Sequence, residues 1–416
     1  MAEFLKVKTA EEVLEIIDGF EPLESEELDL SSARGRVLAE EVRSPEPLPH
    51  FARATMDGFA VRARDTFGAS ESLPALLEKG GEVLMGEEAS TVLQLGKAIT
   101  IPTGGMLPEG SDAVVMVEYT APLDQETIEV TRPVAPGENV LQVGEDITLG
   151  DVLFPKGWRL RPQDLGLLAA VGQGRARVHR RPRVAIVSTG DEVVPVETPS
   201  VPMGKIRDIN TVTLAGQVEE CGAVAGLRRL VTDSLESLVE TCRAALEDHD
   251  VVMLSGGSSV GVRDYTIRIL ESFPDAELLV HGVAIRPGKP TILARIGKKI
   301  FWGLPGQPVS ALMICRVFAL PSLERLQGIV RSKGAAVSAG TLTAVLTRQA
   351  PSVHGRTDCL PVTVSVQGSE AVATPVFGKS AMIGILARAD GYIVIPEHVE
   401  GLDQGTRVQV HFFSAS

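Results

Sequence analysis

Residues 251–264 read VVMLSGGSSVGVRD, and this stretch decides the fold. Its apolar residues run directly into a loop of serine and glycine, and an acidic residue closes the segment. A short apolar run that ends in glycines is typical of a buried parallel strand, which delivers its loop at the carboxyl edge of a sheet. Ligands of open α/β sheets bind at that edge. The sequence therefore predicts an α/β domain with a ligand site at this loop.

The loop itself has the composition of an anion site. Glycine lets backbone N–H groups approach an anion closely, and serine hydroxyls add further donors. Ser255, Gly256, Gly257 and Ser258 are therefore candidates to cradle a phosphate or another oxyanion, and Asp264 offers a carboxylate to a metal. No Gly-Lys-Ser/Thr follows the loop, and the G-x-G-x-x-G spacing is missing, so neither a Walker A loop nor a dinucleotide fingerprint is indicated.

Composition limits the class of protein. The chain has 416 residues, of which 44% are hydrophobic and 23% charged, as is typical of a soluble globular protein. A net charge of −14 argues against a general nucleic-acid binder. No run approaches the roughly 18 apolar residues that a membrane helix needs. Four cysteines without a CxxC pair are typical of reduced thiols, so we expect a cytoplasmic protein that binds neither nucleic acid nor membranes.

Periodicity divides the chain further. Strand-like and helix-like segments alternate from about residue 181 to 328, which predicts a parallel three-layer α/β sheet. Residues 283–285 are read as one of its strands, and Asp233 is read as the cap of the following helix. Near the N-terminus, Thr9 and Glu12 form a capping-box pattern before an amphipathic helix. Short alternating runs predict a small β-rich domain at about 47–131 and an all-β domain after residue 332.

Other polar segments each give only weak evidence for a ligand site when taken alone. The run from Ser188 through Thr189 and Gly190 to Glu192 follows the first strand of the α/β region, and it is either a polar turn or a source of carboxylates for Mg²⁺. Around Asp57 and Thr103 the alternatives are an ordinary Asp-Gly turn and a plain Pro/Gly loop. Further along, IRPGKP combines cations with a rigid turn that suits phosphate, and LPGQP precedes a helix whose N-terminus would face a ligand.

Taken in order, these segments resemble a known family. Six of them match elements of the molybdopterin molybdenumtransferases, whose eukaryotic relatives form the E domain of gephyrin. The resemblance covers nearly the whole chain. The matching segments are TMDGFA, IPTGGMLPEGSDAVV, RPRVAIVSTGDEV, SGGSSVGVRDYT, IRPGKP and LPGQPVS.

The resemblance implies a multidomain α/β plus β fold. It comprises a discontinuous helical and extended dimerisation domain (1–48 and 140–180), an inserted β-rich domain (49–139), a three-layer α/β molybdopterin-binding domain (181–330) and a C-terminal β barrel (331–416). The implied reaction inserts the metal of molybdate into adenylylated molybdopterin, with Mg²⁺-dependent release of AMP. Tungstate has the same charge and nearly the same size, so the sequence leaves tungsten insertion open. The implied protein is a homodimer whose active site is shared between subunits.

Site residues follow from the same resemblance. The implied catalytic residues are Asp57, Thr103, Glu192 and Asp264, of which Glu192 and Asp264 would bind the metal. The implied substrate-binding residues are Ser188, Thr189, Gly190, Asp233, Ser255, Gly256, Gly257, Ser258, Arg286, Lys289, Pro305, Gly306, Arg356 and Ser380. The family often has Lys at the position of Arg286 and a further basic residue at that of Gly282.

Two rival functions stay open at this point. A molybdopterin adenylyltransferase shares the α/β domain but consists of little more, so the additional domains argue against it. A non-catalytic carrier or scaffold would need the pterin cradle but no carboxylates at a metal, so Asp57, Glu192 and Asp264 favour an enzyme. The resemblance also implies transient contacts with a molybdopterin adenylyltransferase and with apo-molybdoenzymes.

Overall fold

The computed structural model describes residues 7–256, 260–330 and 340–414, and it leaves the side chains of 260–264 outside the description. The described residues form three six-stranded sheets and several two-stranded sheets. None of the helices within them combines the length and apolar character needed to cross a bilayer.

The α/β domain is built on a mixed sheet rather than the fully parallel sheet that was predicted. Four consecutive strands, starting from one edge, are parallel, but Ile292–Ile296 runs antiparallel to both of its neighbours. The predicted strand at 283–285 is also wrong: Ile285–Arg286 pairs with Thr357–Asp358 of the C-terminal domain. In sheet order the strands are Val224–Val231, Arg183–Thr189, Val251–Gly256, Lys299–Leu304, Ile292–Ile296 and Ala276–His281.

Helices cover both faces of this sheet, which confirms the three-layer prediction. Val184 and Ile186 pack into one apolar core, whereas Ala185 and Val187 pack into the other, because side chains alternate along a strand. Ser234 caps the second helix by accepting from the backbone of Ser237, so the prediction that Asp233 is the cap is wrong. The helices are Asn210–Glu220, Leu235–Asp248, Val260–Glu271 and a final helix in which the π-helical turn Cys315–Ala319 joins Pro308–Ile314 to Leu320–Leu326.

The N-terminal helix, Ala10–Asp18, has the predicted capping box between Thr9 and Glu12. Its apolar stripe places Val13 and Ile17 in the same core as Phe318. The helix therefore packs into the α/β core, whereas the family resemblance groups it with the dimerisation domain.

Residues from two distant parts of the chain build a smaller unit around Leu38, Phe154 and Val178. Ser25–Asp29 pairs antiparallel with Arg175–His179. Its other elements are Leu30–Ala33, Val42–Arg43, Val152–Phe154 and Pro162–Ala170.

The inserted β-rich domain, between the two parts of this smaller unit in the chain, contains one six-stranded sheet. Gly58–Val61 lies between two antiparallel partners, and a Cβ at Gly58 would lie 1.9 Å from the carbonyl oxygen of Val115. Only glycine fits at this point. In sheet order the strands are Ala113–Met116, Gly58–Val61, Lys97–Ile101, Ala75–Glu82, Thr127–Val130 and Thr120–Pro122.

The C-terminal domain is the expected β barrel. Five strands close on themselves because Thr357–Gln367 pairs with both Glu370–Pro375 and Gly391–Ile395. The remaining two strands, Thr341–Leu346 and Arg407–Phe412, complete the ring. Ile285–Arg286, which precedes the barrel in sequence, pairs with the first two residues of Thr357–Gln367 and so connects the barrel to the α/β domain.

Candidate functional site

The carboxyl ends of the parallel strands meet as the sequence predicted. Ser188 is the register partner of Ser255, and Ser255 is the partner of Leu304 on the next strand. Ser188, Thr189 and Ser255 are all buried, with exposed fractions of 3% or less. The fold therefore brings the loops that follow Ser188, Ser255 and Leu304 to one edge.

A side chain that sequence reasoning missed connects two of these loops. The amide nitrogen of Asn210 donates to Ser255 Oγ at 2.8 Å and to the carbonyl oxygen of Gly306 at 2.9 Å. Ser255 Oγ in turn donates to the carbonyl oxygen of Pro305 at 3.2 Å. Asn210 is 7% exposed. Its position at the start of a helix gave a weak signal, because Asn is also common there as an ordinary cap.

The carbonyl oxygen of Asn210, Oδ1, is buried without a hydrogen-bond partner among the described residues. The carbonyl oxygen of Gly306 can only accept, and Ser255 Oγ already donates to Pro305, so the NH₂ group of Asn210 is the one that faces both. Pro305 and Gly306 thus lie beside the Ser255 loop, as their assignment to the same site requires.

Acidic side chains collect at the same edge. Thr189 Oγ1 donates to Asp233 Oδ1 at 3.3 Å, and the backbone N–H of Asp233 donates to Asp191 Oδ1 at 3.4 Å. The carboxylate of Glu192 lies over Gly190, since a Cβ there would be 2.9 Å from Glu192 Oε2. Burial, together with the charges of Asp191 and Glu192, raises the pKa of Asp233, while the Thr189 hydrogen bond lowers it. This edge therefore has a negative potential.

Three assigned residues cannot be located in this way. Gly257 and Ser258 lie outside the described residues, and so does the side chain of Asp264, whose backbone belongs to Val260–Glu271. The described part of the chain contains no group of three or more His, Cys, Asp or Glu side chains arranged to hold a metal ion.

The predicted helix N-terminus at LPGQP is already partly occupied. The backbone N–H of Val309 donates to the carbonyl oxygen of Ser380 at 3.1 Å, and Ser380 Oγ hydrogen-bonds Gln307 Oε1. Ser380 therefore reaches the α/β domain from the barrel. A cleft of about 350 Å³ lies beside this contact, between the two domains.

The cations differ in how they are held. Arg286 lines the cleft but is ion-paired with Asp358 of the barrel, with Nη2 and Oδ2 2.5 Å apart. Lys289 is exposed and Arg356 is half-buried. Gly288, between Arg286 and Lys289, is packed so closely that a Cβ would lie 2.3 Å from Ile314. Arg286 is thus already paired with a carboxylate of the barrel.

Asp57 and Thr103 are neighbours at one end of the inserted sheet. Asp57 Oδ1 accepts from the backbone N–H of Thr103 at 2.6 Å and from its hydroxyl at 2.8 Å. These two bonds lower the pKa of Asp57, so the carboxylate is charged at neutral pH. Within the described residues, its carboxylate accepts no other hydrogen bond and forms no ion pair, and the side chain is exposed. The α/β edge and this carboxylate are therefore separate groups in a single chain.

Comparisons with known proteins agree with this organisation. The MoeA N-terminal region (domain I and II) matches residues 6–172, the "Probable molybdopterin binding domain" matches 185–325, and the MoeA C-terminal region (domain IV) matches 343–413. Molybdopterin molybdenumtransferase of Bacillus subtilis is 33% identical, with 93% of this chain and 89% of the relative covered. The enzyme of that name from Haemophilus influenzae is 31% identical, with coverages of 94% and 95%.

A solved structure extends the agreement to three dimensions. The crystal structure of the molybdopterin biosynthesis moeA protein from Pyrococcus horikoshii superimposes with a TM-score of 0.83 at 32% identity. The match covers 98% of this chain and 100% of that one. With matches to N-terminal, central and C-terminal regions, the chain belongs to the MoeA family of molybdenum cofactor biosynthesis proteins.

Proposed function

We propose that this chain is a molybdopterin molybdenumtransferase, which inserts the metal of molybdate into adenylylated molybdopterin and releases AMP in the presence of Mg²⁺. One observation carries the proposal. The buried hydrogen-bond network of Ser255 and Asn210 lies at the same sheet edge as the carboxylates of Asp191, Glu192 and Asp233. Relatives across nearly the full length of the chain carry that enzyme's name.

The sheet edge suits the phosphate end of the substrate. Ser188, Thr189 and Gly190 on one strand end, and Ser255 with Gly256 on the next, would supply backbone N–H groups to an anion. The hydroxyls of Thr189 and Ser255 would join them by exchanging their present acceptors, Asp233 and Pro305. Gly257 and Ser258 would extend this cradle, with Pro305 and Gly306 forming its adjacent wall. In this assignment the loops bind and orient the pterin substrate.

The acidic side chains fit Mg²⁺. Burial contributes most to the raised pKa of Asp233, and the charges of Asp191 and Glu192 add to it. A cation bound at this edge would offset those charges. Magnesium in proteins binds through one or two carboxylates, with waters and substrate phosphates completing the shell, so a cluster of three protein ligands is not required. Glu192 and Asp264 are the ligands that we propose. A bound Mg²⁺ would offset the negative charge that develops on the phosphates as AMP leaves.

A second subunit would complete the site. Asp57 is charged, exposed and oriented by Thr103. An oriented carboxylate on an exposed turn suits a surface that another molecule covers. We therefore propose a homodimer in which Asp57 and Thr103 of each subunit face the α/β edge of the other.

The cations near the barrel suit the metal oxyanion. Arg286, Lys289 and Arg356 carry positive charge, and Ser380 offers a hydroxyl at the boundary of the cleft. We assign molybdate, or tungstate in its place, to this region. The four cysteines are buried and form no disulfide, which is consistent with a reducing cytoplasm. There, transient contacts with an adenylyltransferase and apo-molybdoenzymes would deliver substrate and receive product.

A reconstituted assay tests the function. Full-length protein is incubated with adenylylated molybdopterin, Mg²⁺ and either molybdate or tungstate, and AMP release is measured together with activation of an apo-molybdoenzyme. We expect both signals to require the oxyanion, and Glu192→Gln to reduce them. A molybdopterin adenylyltransferase would instead form the adenylylated compound from ATP, and a carrier would bind it without releasing AMP. Either result would contradict the proposal.

A further inference from the structure

The ion pair between Arg286 and Asp358 sits where the α/β domain joins the barrel. The two residues are register partners on paired strands, and both line the cleft of about 350 Å³. The side chain of Asp358 is only 5% exposed, whereas that of Arg286 is 44% exposed. In the lining of the cleft, the carboxylate of Asp358 is therefore buried and the guanidinium of Arg286 is accessible to a ligand.

The pairing uses one side of the guanidinium. Arg286 Nε donates to Asp358 Oδ1 at 2.6 Å, and Nη2 lies 2.5 Å from Oδ2. Nη2 also approaches the carbonyl oxygen of Pro351 at 3.4 Å. Within the described ranges, Nη1 has no hydrogen-bond partner. An arginine has five N–H donors in a rigid plane, so fixing Nε and Nη2 leaves the two donors of Nη1 on a defined edge.

A third residue holds the carboxylate. Ser352 Oγ donates to Asp358 Oδ2 at 2.7 Å. A buried carboxylate that lost its charged partner would be strongly destabilised, so Arg286 cannot leave Asp358 at low cost. The guanidinium is therefore oriented before any ligand arrives. A lysine at this position would carry the same charge but could not be held by two parallel hydrogen bonds.

We propose that Asp358, supported by Ser352, is a positioning residue that orients Arg286 so that its Nη1 edge binds a tetrahedral oxyanion in the cleft. This inference rests on the proposed function for the choice of molybdate as that oxyanion. Asp358 touches no substrate in this scheme and acts through Arg286.

Isothermal titration of the full-length protein with molybdate, inorganic phosphate and AMP separately tests the inference. Charge alone predicts that Asp358→Asn strengthens anion binding, because a negative charge is removed. Positioning predicts the opposite, and we expect molybdate binding to weaken about tenfold, since Asn cannot accept both parallel bonds. Asp390→Asn serves as control, because Asp390 is an exposed carboxylate of the same barrel that accepts from the backbone of Val364.

A double-mutant cycle identifies the route of the effect. In an Arg286→Lys background there is no fork to orient, so Asp358→Asn should no longer weaken binding and the two changes should be non-additive. Ser352→Ala gives a milder variant, expected to weaken molybdate binding several-fold, in case Asp358→Asn fails to fold. Thermal unfolding of every variant monitors folding.

The outcomes separate the two proposals. Unchanged or tighter molybdate binding by folded Asp358→Asn overturns the inference, as does additivity in the cycle. Phosphate binding as tight as molybdate binding assigns the cleft to a substrate phosphate and overturns the choice of oxyanion. If the oxyanion binds with the expected coupling but AMP release never occurs, the inference stands and the proposed function fails. If AMP is released but the double-mutant cycle shows no coupling between Asp358 and Arg286, the proposed function stands and the inference fails.

Discussion

The α/β sheet edge and the Asp57–Thr103 turn hold their polar groups in different ways. At the edge, Ser188 and Ser255 are buried strand-end residues whose spacing is set by backbone pairing. At the turn, Asp57 is exposed and Thr103 alone orients its carboxylate among the described residues. The backbone of a single chain thus sets the spacing of Ser188 and Ser255. In the dimer that we propose, the second group becomes part of a site when the other subunit covers it.

Mixing inactive variants gives the largest expected effect and tests this difference directly. Asp57→Ala and Glu192→Ala should each reduce AMP release by at least about 100-fold. In randomly mixed dimers half are heterodimers, and each has one intact shared site, so about a quarter of wild-type activity should return. Activity is measured after subunit exchange, with each variant alone as control. Verified heterodimers that stay inactive would show that both residues serve one site within a chain.

The turn also depends on a single glycine. A Cβ at Gly58 would lie 1.9 Å from the backbone carbonyl oxygen of Val115, on the strand that pairs directly with Gly58–Val61. We expect Gly58→Ala to destabilise the inserted domain by more than about 3 kcal/mol, measured by chemical denaturation. Gly166→Ala is the matched control, because a Cβ there meets nothing within 4 Å on a helix. That change should stabilise by about 0.5–1 kcal/mol. Equal changes in unfolding free energy for Gly58→Ala and Gly166→Ala would show that the close approach of Val115 does not require glycine at position 58.

At the sheet edge, the arrangement of the Ser255 and Gly306 loops depends on Asn210. Asn210→Asp replaces the NH₂ donor with an oxygen that faces the carbonyl of Gly306, so we expect a loss of about 1–3 kcal/mol in unfolding free energy. Because the Ser255 loop would move, KM for adenylylated molybdopterin should rise more than kcat falls. Thr213→Val is the control, since that hydroxyl bonds the carbonyl of Ile209 on the same helix. An unchanged KM would show that Asn210 supports the helix alone.

The sequence predicted the strand ends because each apolar run stops at a polar loop, and parallel strands must end at one edge. It could not predict the bridge made by Asn210, which joins Ser255 and Gly306 across 45 and 96 residues. The pairing of Arg286 with Asp358 was equally hidden, since it spans 72 residues and depends on strand register. A two-residue strand such as Ile285–Arg286 has too little periodicity to indicate which sheet it joins.

Asp233 offers the smallest effect and the sharpest contrast with Asp57. Burial and two neighbouring carboxylates raise the pKa of Asp233, so its ionisation costs stability as the pH rises through the folded-state pKa. Asp233→Asn should therefore raise Tm slightly at neutral pH, with the gain disappearing below about pH 4, where the wild-type carboxyl is also neutral. Asp146→Asn, at an exposed carboxylate without hydrogen bonds or ion pairs in the described structure, should leave Tm nearly unchanged. If Mg²⁺ binds at this edge, adding it should stabilise wild type more than Asp233→Asn and narrow the gap. A lower Tm for Asp233→Asn than for wild type at neutral pH would contradict a negative potential at the edge.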